Sequence, residues 1–259
     1  MRRATLLLML VLPGGLLSAC GKGSETTSTT HSKATAANSG ATTGATGSTG
    51  TSAASAARRQ ALAFARAVNL TASDLPGFTA SSKQEGETAH EKHLQQQMLG
   101  CAGPGGSSQG FAADSSKDYE LKHEILDLGV SSEVSVAATP AQAKSELAAI
   151  RSARVRGCFE RYLGELFKGR KFGGASVNGV SIVSGIPPAP GTSGGFGWRV
   201  TVPVELHDIQ VPFYLDILGF VDRNARVTLF SSGAIRPFPA AVQQQLFSLL
   251  LSRAKAQQP

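Results

Sequence analysis

Three cysteines have the widest choice of chemistry among the residues of this chain: Cys20, Cys101 and Cys158. A thiol can form a disulfide, carry an acyl chain, bind a metal or act as a nucleophile. Their long separations exclude a CxxC motif, and no set of neighbouring residues with metal-ligand spacing surrounds any of them. The segments in which the three cysteines lie therefore have to indicate their roles.

Cys20 ends an N-terminal segment that has the layout of a secretion signal. Arg2 and Arg3 precede an apolar run from Leu6 to Leu17, which Pro13-Gly14-Gly15 interrupts. A basic start followed by a short apolar run is typical of an export signal, whereas a membrane-spanning helix needs a longer uninterrupted stretch. We expect export by general secretion and an extracytoplasmic location.

The sequence Leu17-Ser18-Ala19-Cys20 resembles the lipobox of bacterial lipoproteins. This resemblance implies that residues 1–19 are a lipoprotein signal peptide and that the thiol of Cys20 is diacylated. Two acyl chains, at ~0.8 kcal/mol for each buried methylene, hold a protein stably on a lipid bilayer. The alternative is an ordinary cleaved signal peptide that is followed by a cysteine by chance.

Residues 20–57 have the composition of a disordered tether. They are almost entirely serine, threonine, glycine and alanine, and no side chain between residues 21 and 57 is both larger and more apolar than alanine. A chain of this kind has an end-to-end distance of roughly 30–40 Å. Residues 58–259 remain as one extracytoplasmic domain, which is long enough to bury a core.

Cys101 and Cys158 form a pair once Cys20 is assigned to lipid. In an oxidising compartment such a pair predicts one disulfide bond. The alternative is a catalytic or metal-binding thiol, for which the sequence offers no set of partner residues. We predict no metal site and no cofactor.

The charge of the chain is mildly basic, with a formal net charge of +7. Part of the excess is concentrated between Arg151 and Lys171. A solvated helix face is the simpler interpretation, and attraction to anionic lipid headgroups or wall polymer is the alternative. The basic residues are not interleaved with aromatic ones, so the sequence does not indicate a nucleic-acid partner.

Two GxSxG matches, centred on Ser108 and Ser193, are the nearest approach to a catalytic motif. A nucleophile elbow needs a strand before the serine and a helix after it, and neither sequence context predicts that arrangement. The histidines His90 and His93 are one residue too close for an HExxH zinc motif. We therefore predict no catalytic residue and expect a protein that is not an enzyme.

The periodicity of apolar residues predicts an α+β fold with a single antiparallel sheet and helices packed on it. Val200, Val202 and Val204 alternate with polar or small residues, and short turns such as Asp222-Arg223-Asn224 separate consecutive strands. Pro203 indicates an edge or a bulge, and Asn178-Gly179 indicates a hairpin or a bulged strand. The predicted helices are Ser55–Leu70, Glu87–Leu99, Pro140–Ile150, a helix that carries Cys158 to Leu166, and Pro239–Lys255. The predicted strands are Tyr119–Ala138, Ala175–Ile186, Trp198–Leu206, Val211–Val221 and Arg226–Ser231.

Several segments together resemble a recurring layout: DLPGF at Asp74–Phe78, SSEVSVAATPAQAKSELAAI at Ser131–Ile150, GWRVTVPV, VPFYLDILGF and the final helix. The layout is similar to actinobacterial lipoproteins and to the extracellular sensor-like domains of PknH-type receptor kinases, which have a PsbP-like α+β fold. The resemblance implies a non-enzymatic binding or sensing domain whose partner is an unknown envelope ligand or protein. The alternative function is a carrier or chaperone for lipid or another envelope component.

Overall fold

Strand pairing in one antiparallel sheet organises the fold, as a computed structural model of the chain shows. The structure describes residues 49–81, 88–103, 110–123, 126–168, 176–177, 179–206 and 209–257. The predicted signal peptide, Cys20 and residues 20–48 of the predicted tether lie outside this range. Within it, the α+β class and the single antiparallel sheet are confirmed.

The described part of the chain contains five α-helices and nine strands. The helices are α1 (Thr49–Val68), α2 (Ala89–Ala102), α3 (Pro140–Ile150), α4 (Ala153–Phe167) and α5 (Ala240–Ala256). The strands are β1 (Thr79–Ala80), β2 (Ala112–Ser115), β3 (Tyr119–His123), β4 (Leu126–Val136), β5 (Ser176–Val177), β6 (Ser181–Gly185), β7 (Gly194–Leu206), β8 (Ile209–Asp222) and β9 (Ala225–Ala234).

The strands pair in the order β1-β3-β4-β9-β8-β7-β5, with β2 beside β4 and β6 beside β7. Strands β7, β8 and β9 form a meander in which Leu206 pairs with Ile209 and Asp222 pairs with Ala225. The turn predicted at residues 222–224 is confirmed. There Arg223 adopts a φ of 53°, the left-handed conformation that the primed turns of two-residue hairpin loops use.

Helices cover both faces of the sheet, so the domain has two cores. One face, which we call the α3–α4 face, buries Trp198 and Phe213 against α4 and its neighbours. The opposite face, the α1–α5 face, buries Phe220 beneath α1 and α5. Successive residues of a strand point to opposite faces, which is why Phe213 and Phe220 lie in different cores.

Strands β5 and β6 explain the two irregular signals in the sequence. Both pair with β7 and not with each other, so the segment around Gly179 is an interrupted strand and not a hairpin. On the edge of β7 that faces away from β8, β5 pairs with residues 204–205 and β6 pairs with residues 197–201. Pro203 lies between these two paired stretches. A proline has no N–H to donate, and here it occupies the interruption in this pairing.

Helix boundaries follow capping chemistry. The predicted start of α3 is confirmed, because Thr139 Oγ1 accepts a hydrogen bond from the backbone N–H of Gln142 and Pro140 occupies the first turn. Helix α1 begins at Thr49, six residues before its predicted start at Ser55. The last nine residues of the predicted tether, 49–57, are therefore helical.

The apolar periodicity of the final helix predicts that four residues pack against the sheet, Val242, Leu246, Leu249 and Leu250, and for Val242 this prediction is wrong. The exposed fraction of Val242 is 36%, whereas Leu246 and Leu250 are buried and Leu249 is partly buried against the core. The side chain of Gln243 takes the inward position in the first turn of α5 instead, where it donates hydrogen bonds to Asp216 and Ser231. A polar group on the strand thus sets which side of α5 faces the sheet.

A buried ionic triad lies between the sheet and α3. The guanidinium of Arg226 contacts the carboxylates of Glu133 at 3.6 Å and Glu146 at 3.5 Å, and all three side chains are buried. Burial raises the pKa of Glu133, and the neighbouring Arg226 only partly opposes this effect. Folding therefore favours the protonated form of Glu133.

The triad predicts a specific pH dependence of stability. A carboxyl group whose pKa is raised on folding contributes stability that is fully present below its unfolded value, near 4.5, and is lost as the pH rises through the folded value. The variant Glu133→Gln cannot ionise at this position and should not lose this stability. Its free energy of unfolding should therefore rise relative to that of the wild type as the pH increases. Urea unfolding between pH 4 and 8 measures the difference. Glu165→Gln, at an exposed glutamate, is the control. If the free energies of unfolding of Glu133→Gln and of the wild type change in parallel with pH, the prediction is contradicted.

Candidate functional site

The predicted disulfide between Cys101 and Cys158 is present in the structure. It joins α2 to α4 with a Cα–Cα distance of 5.8 Å. Arg161 donates a hydrogen bond to Cys101 Sγ at 2.8 Å, and Arg154 Nε donates to the carbonyl oxygen of Cys101 at 2.8 Å. The disulfide and these two arginines fix α2 to the outer side of α4.

Other basic residues of the predicted cluster also make specific contacts. Arg151 donates from Nε to the carbonyl oxygen of Gly195 at 2.8 Å, and Arg156 donates from Nη1 to Ser184 Oγ at 3.3 Å. These contacts connect α3 and α4 to β7 and β6. The members of the cluster within the described residues, Arg151, Arg154, Arg156, Arg161 and Lys168, are exposed, as a solvated helix face requires. Arg151 and Arg156 also connect the helices to the sheet.

The two candidate catalytic serines gain no support. Ser193 lies in an exposed loop immediately before β7, and its backbone N–H donates to the carbonyl oxygen of Val221 at 2.8 Å. A strand follows it, where a nucleophile elbow requires a helix. Ser108 lies outside the described residues.

The histidines of α2 are not arranged as metal ligands in the described part of the chain. His93 is exposed and its Nε2 lies 2.9 Å from Nε2 of Gln97, one helical turn away. Within the described ranges, no group of three or more His, Cys, Asp or Glu side chains is placed to hold a metal ion.

A site that the sequence analysis missed lies on the α1–α5 face of β7 and β8. Asp216 is opposite Arg199 in the strand pairing, so both side chains are on this face. The contact is bidentate: Arg199 Nε donates to Asp216 Oδ1 at 2.6 Å, and Arg199 Nη2 donates to Oδ2 at 2.9 Å. The carboxylate side chain is 4% exposed, whereas the arginine side chain is 46% exposed.

The buried amide of Gln243 holds the carboxylate of Asp216 in place, and buried Ser231 in turn accepts a hydrogen bond from Gln243. Gln243 on α5 donates from Nε2 to Asp216 Oδ2 at 3.0 Å and to Ser231 Oγ at 2.6 Å. We call these four side chains the Arg199 site: Arg199, Asp216, Gln243 and Ser231. Three buried groups therefore orient one exposed guanidinium.

The electrostatics keep Arg199 charged. Its pKa is raised, chiefly by the hydrogen bonds to Asp216, and partial burial opposes this effect only in part. Tyr214, two residues from Asp216 on the same face of β8, raises the pKa of Arg199 further. The guanidinium is a permanent cation with a fixed orientation.

Part of the guanidinium remains available to a ligand. An arginine has five N–H groups. Two of those of Arg199 donate to Asp216, and the other three have no hydrogen-bond partner in the described part of the chain. A fixed, half-exposed guanidinium binds oxyanions, and it carries no nucleophile or proton acceptor of its own. The chemistry that this site supports is recognition of an anion.

Comparison with known proteins gives a likeness in structure but none in sequence. No protein-family model matches the chain, and no curated protein matches it. Among solved structures, it is similar to the extracellular domain of PknH from Mycobacterium tuberculosis, with a TM-score of 0.41 and 8% identity. The likeness covers 76% of this chain and 97% of that domain. The fold assignment rests on the strand pairing described above.

One further finding concerns the helices. None of those in the described ranges combines the length and the apolar character that crossing a bilayer requires.

The signal that would have revealed the Arg199 site was present in the sequence. Once Leu206 is paired with Ile209, the register of an antiparallel hairpin places Arg199 opposite Asp216. An opposite-charge pair on facing strands is a recognisable stabilising element.

The disulfide predicts a large loss of stability when it is removed. The double variant Cys101→Ala/Cys158→Ala should lower the free energy of unfolding by about 4 kcal/mol, because the unfolded chain regains the entropy of a long open loop. Denaturant unfolding of the wild type and the variant measures this change. A loss below about 1 kcal/mol would show that the cross-link does not restrict the unfolded chain.

The Arg199 site predicts non-additive effects on stability. Arg199→Gln should lower the free energy of unfolding by about 2 kcal/mol, because it leaves the buried carboxylate of Asp216 without its charged partner. Adding Asp216→Asn should restore stability to within about 1 kcal/mol of the wild type, since no buried charge then remains. A double-mutant cycle by chemical unfolding measures the coupling, and strictly additive losses would contradict it.

Proposed function

We propose that this chain is an extracytoplasmic lipoprotein whose folded domain is a non-enzymatic binding or sensing module. The thiol of Cys20 carries the acyl chains that attach it to a membrane, and the tether after it separates the domain from the lipid headgroups. The domain recognises an anionic ligand of the cell envelope at the Arg199 site. The observation that carries the binding function is the exposed guanidinium of Arg199, held by a buried carboxylate.

Two observations support the extracytoplasmic location. The N-terminal layout is that of an export signal followed by a cysteine, as set out above. The disulfide between Cys101 and Cys158 agrees with this location, because cytosolic thiols are kept reduced in most cells.

The construction of the Arg199 site supports binding over a purely structural role. A purely structural ion pair in a protein interior leaves neither partner open to a ligand, because its polar atoms are hydrogen-bonded within the fold. In this pair only Asp216 is buried, and the side chain of Arg199 remains 46% exposed. Binding sites commonly use this arrangement, in which a supporting layer of hydrogen bonds fixes one exposed group.

The non-enzymatic assignment is supported by the surroundings of the site. Strand β7 carries Gly197 and Thr201 on either side of Arg199 on the same face, and Val183 lies opposite on β6. Acid–base catalysis needs a group that can exchange a proton near neutral pH. Arg199 keeps its proton, and Asp216 is committed to three hydrogen bonds.

Membrane attachment predicts a simple outcome for Cys20. In a bacterial host, the full-length wild type should be recovered in the membrane fraction with a mass increase from acyl chains. The variant Cys20→Ala should lack this mass and should leave the membrane fraction, because no acyl chain then holds it. Intact-mass analysis of both fractions measures the outcome. A wild-type protein with an unmodified N-terminal segment would contradict the anchor and leave the binding function open to its own test.

Anion recognition predicts stabilisation by small oxyanions. At fixed ionic strength, acetate should raise the thermal unfolding midpoint of the wild type, because a ligand that binds only the folded state stabilises it. The double variant Arg199→Gln/Asp216→Asn should show no such rise, and Arg156→Gln is the matched control for loss of an exposed arginine. Equal stabilisation of all three proteins would contradict binding at Arg199.

A further inference from the structure

We infer that the ligand of the Arg199 site is a hydroxylated carboxylic acid of the sugar-acid type. This inference rests on the proposed function and names the chemical class that the site takes. It depends on three features of the structure: the free edge of the guanidinium, the charges that share its face, and the hydroxyl groups around it.

The free edge of Arg199 has the geometry of a carboxylate clamp. The Nε and Nη2 side of the guanidinium is used by the two oxygens of Asp216. The adjacent edge, formed by Nη1 and Nη2, keeps two parallel N–H groups, one from each nitrogen. A second carboxylate fits this edge with two parallel hydrogen bonds, as in other fork-to-fork pairs of arginine.

The charges on this face favour an anion with a single charge. The neighbouring strand positions that share the face with Arg199 are Val183 on β6, Gly197 and Thr201 on β7, and Asp216 and Tyr214 on β8. None of these described positions carries a lysine, a histidine or a second arginine. Asp216 already balances the charge of Arg199, so a phosphate dianion would meet uncompensated repulsion that a monoanionic carboxylate meets less.

Hydroxyl groups lie on the side of Arg199 that faces the end of the β7–β8 hairpin. Thr201 and Tyr214 pair with each other across β7 and β8, and Ser181 pairs with Thr201 on the β6 side. Ser181 is exposed, and Thr201 and Tyr214 are partly exposed. Because this row of three residues lies two positions along the strands from Arg199, these hydroxyls lie on one side of the position of a bound carboxylate, at a distance of roughly 5–8 Å.

This spacing determines which part of a ligand each group contacts. The guanidinium edge binds the carboxylate. The hydroxyls of the protein exchange hydrogen bonds with the hydroxyl groups on the ligand's carbon atoms that follow the carboxylate. Tyr214 adds an aromatic ring against which a sugar ring can lie. A ligand with a carboxylate alone uses only the first of these contacts, and a neutral sugar uses only the others.

The test compares four probes on the full-length protein: glucuronate, propionate, glucose and inorganic phosphate. At constant pH and ionic strength, the NMR signals of the Arg199 side chain and of the amides of Thr201 and Tyr214 are followed during each titration. Glucuronate should bind most tightly, propionate about tenfold more weakly, and glucose and phosphate more weakly again.

Variants assign the contacts. Arg199→Lys keeps the charge but removes the planar fork, and it should weaken glucuronate binding by about tenfold or more. The neutral pair Arg199→Gln/Asp216→Asn should abolish binding, and the chemical unfolding described above shows whether it is folded. Thr201→Val and Tyr214→Phe should weaken glucuronate but leave propionate unchanged, since propionate has no hydroxyl groups to bind.

The outcomes separate this inference from the proposed function. Phosphate binding at least as tightly as glucuronate, or propionate equalling glucuronate, would overturn the sugar-acid class while anion recognition at Arg199 stands. Glucuronate binding that survives in the neutral pair would overturn both. Glucuronate binding that requires Arg199, exceeds propionate and depends on Thr201 or Tyr214 supports the inference.

Discussion

The arrangement of β7, β8 and α5 around the Arg199 site depends on one group, the buried carboxylate of Asp216. It lies at the centre of β8, where it accepts hydrogen bonds from Arg199 on β7 and from Gln243 on α5. A charge in this position is costly unless each oxygen is paired, and the surrounding elements satisfy both oxygens. One side chain thereby fixes the orientation of an exposed cation, the rotation of α5 about its axis and the pairing of β7 with β8.

Burial of both faces of the sheet explains why this group is surrounded so closely. The α3–α4 face and the α1–α5 face each contain a full apolar core, and the strands between them alternate between the two. Polar side chains beneath the helices are therefore shielded from water and need hydrogen-bond partners within the protein. On the α3–α4 face, Arg226 is satisfied by two buried glutamates. On the α1–α5 face, the pair of Asp216 and Arg199 reaches the surface, and the proposed binding function rests on this difference.

Much of the fold followed from the sequence because its signals were local. The alternation of Val200, Val202 and Val204 predicted β7, and the helix predicted at Pro140–Ile150 has the same bounds as α3. The disulfide followed from compartment and pairing, and it is present. The early start of α1 at Thr49 was missed because serine, threonine, glycine and alanine carry no periodic signal. The inward position of Gln243 was missed because hydrophobic periodicity assigns the buried side of a helix to its apolar residues.

The site itself could not be predicted from residue types alone. Arg199 and Asp216 lie 17 positions apart in sequence, and neither belongs to a recognised motif. Only the hairpin register brings them together, and only α5, which follows later in the chain, supplies Gln243 to complete the pair. Sites assembled from strand register and a distant helix have no short sequence signature, in contrast to the cysteine pair and the helix caps.

The most direct test of this account is hydrogen exchange of the Arg199 Nε–H group, measured by NMR near neutral pH on the intact protein. If Asp216 holds the guanidinium, this proton should exchange far more slowly than the Nε–H of Arg156, which donates through Nη1, and Asp216→Asn should remove the protection. An Arg199 signal that exchanges as fast as that of Arg156 in the wild type would contradict the account.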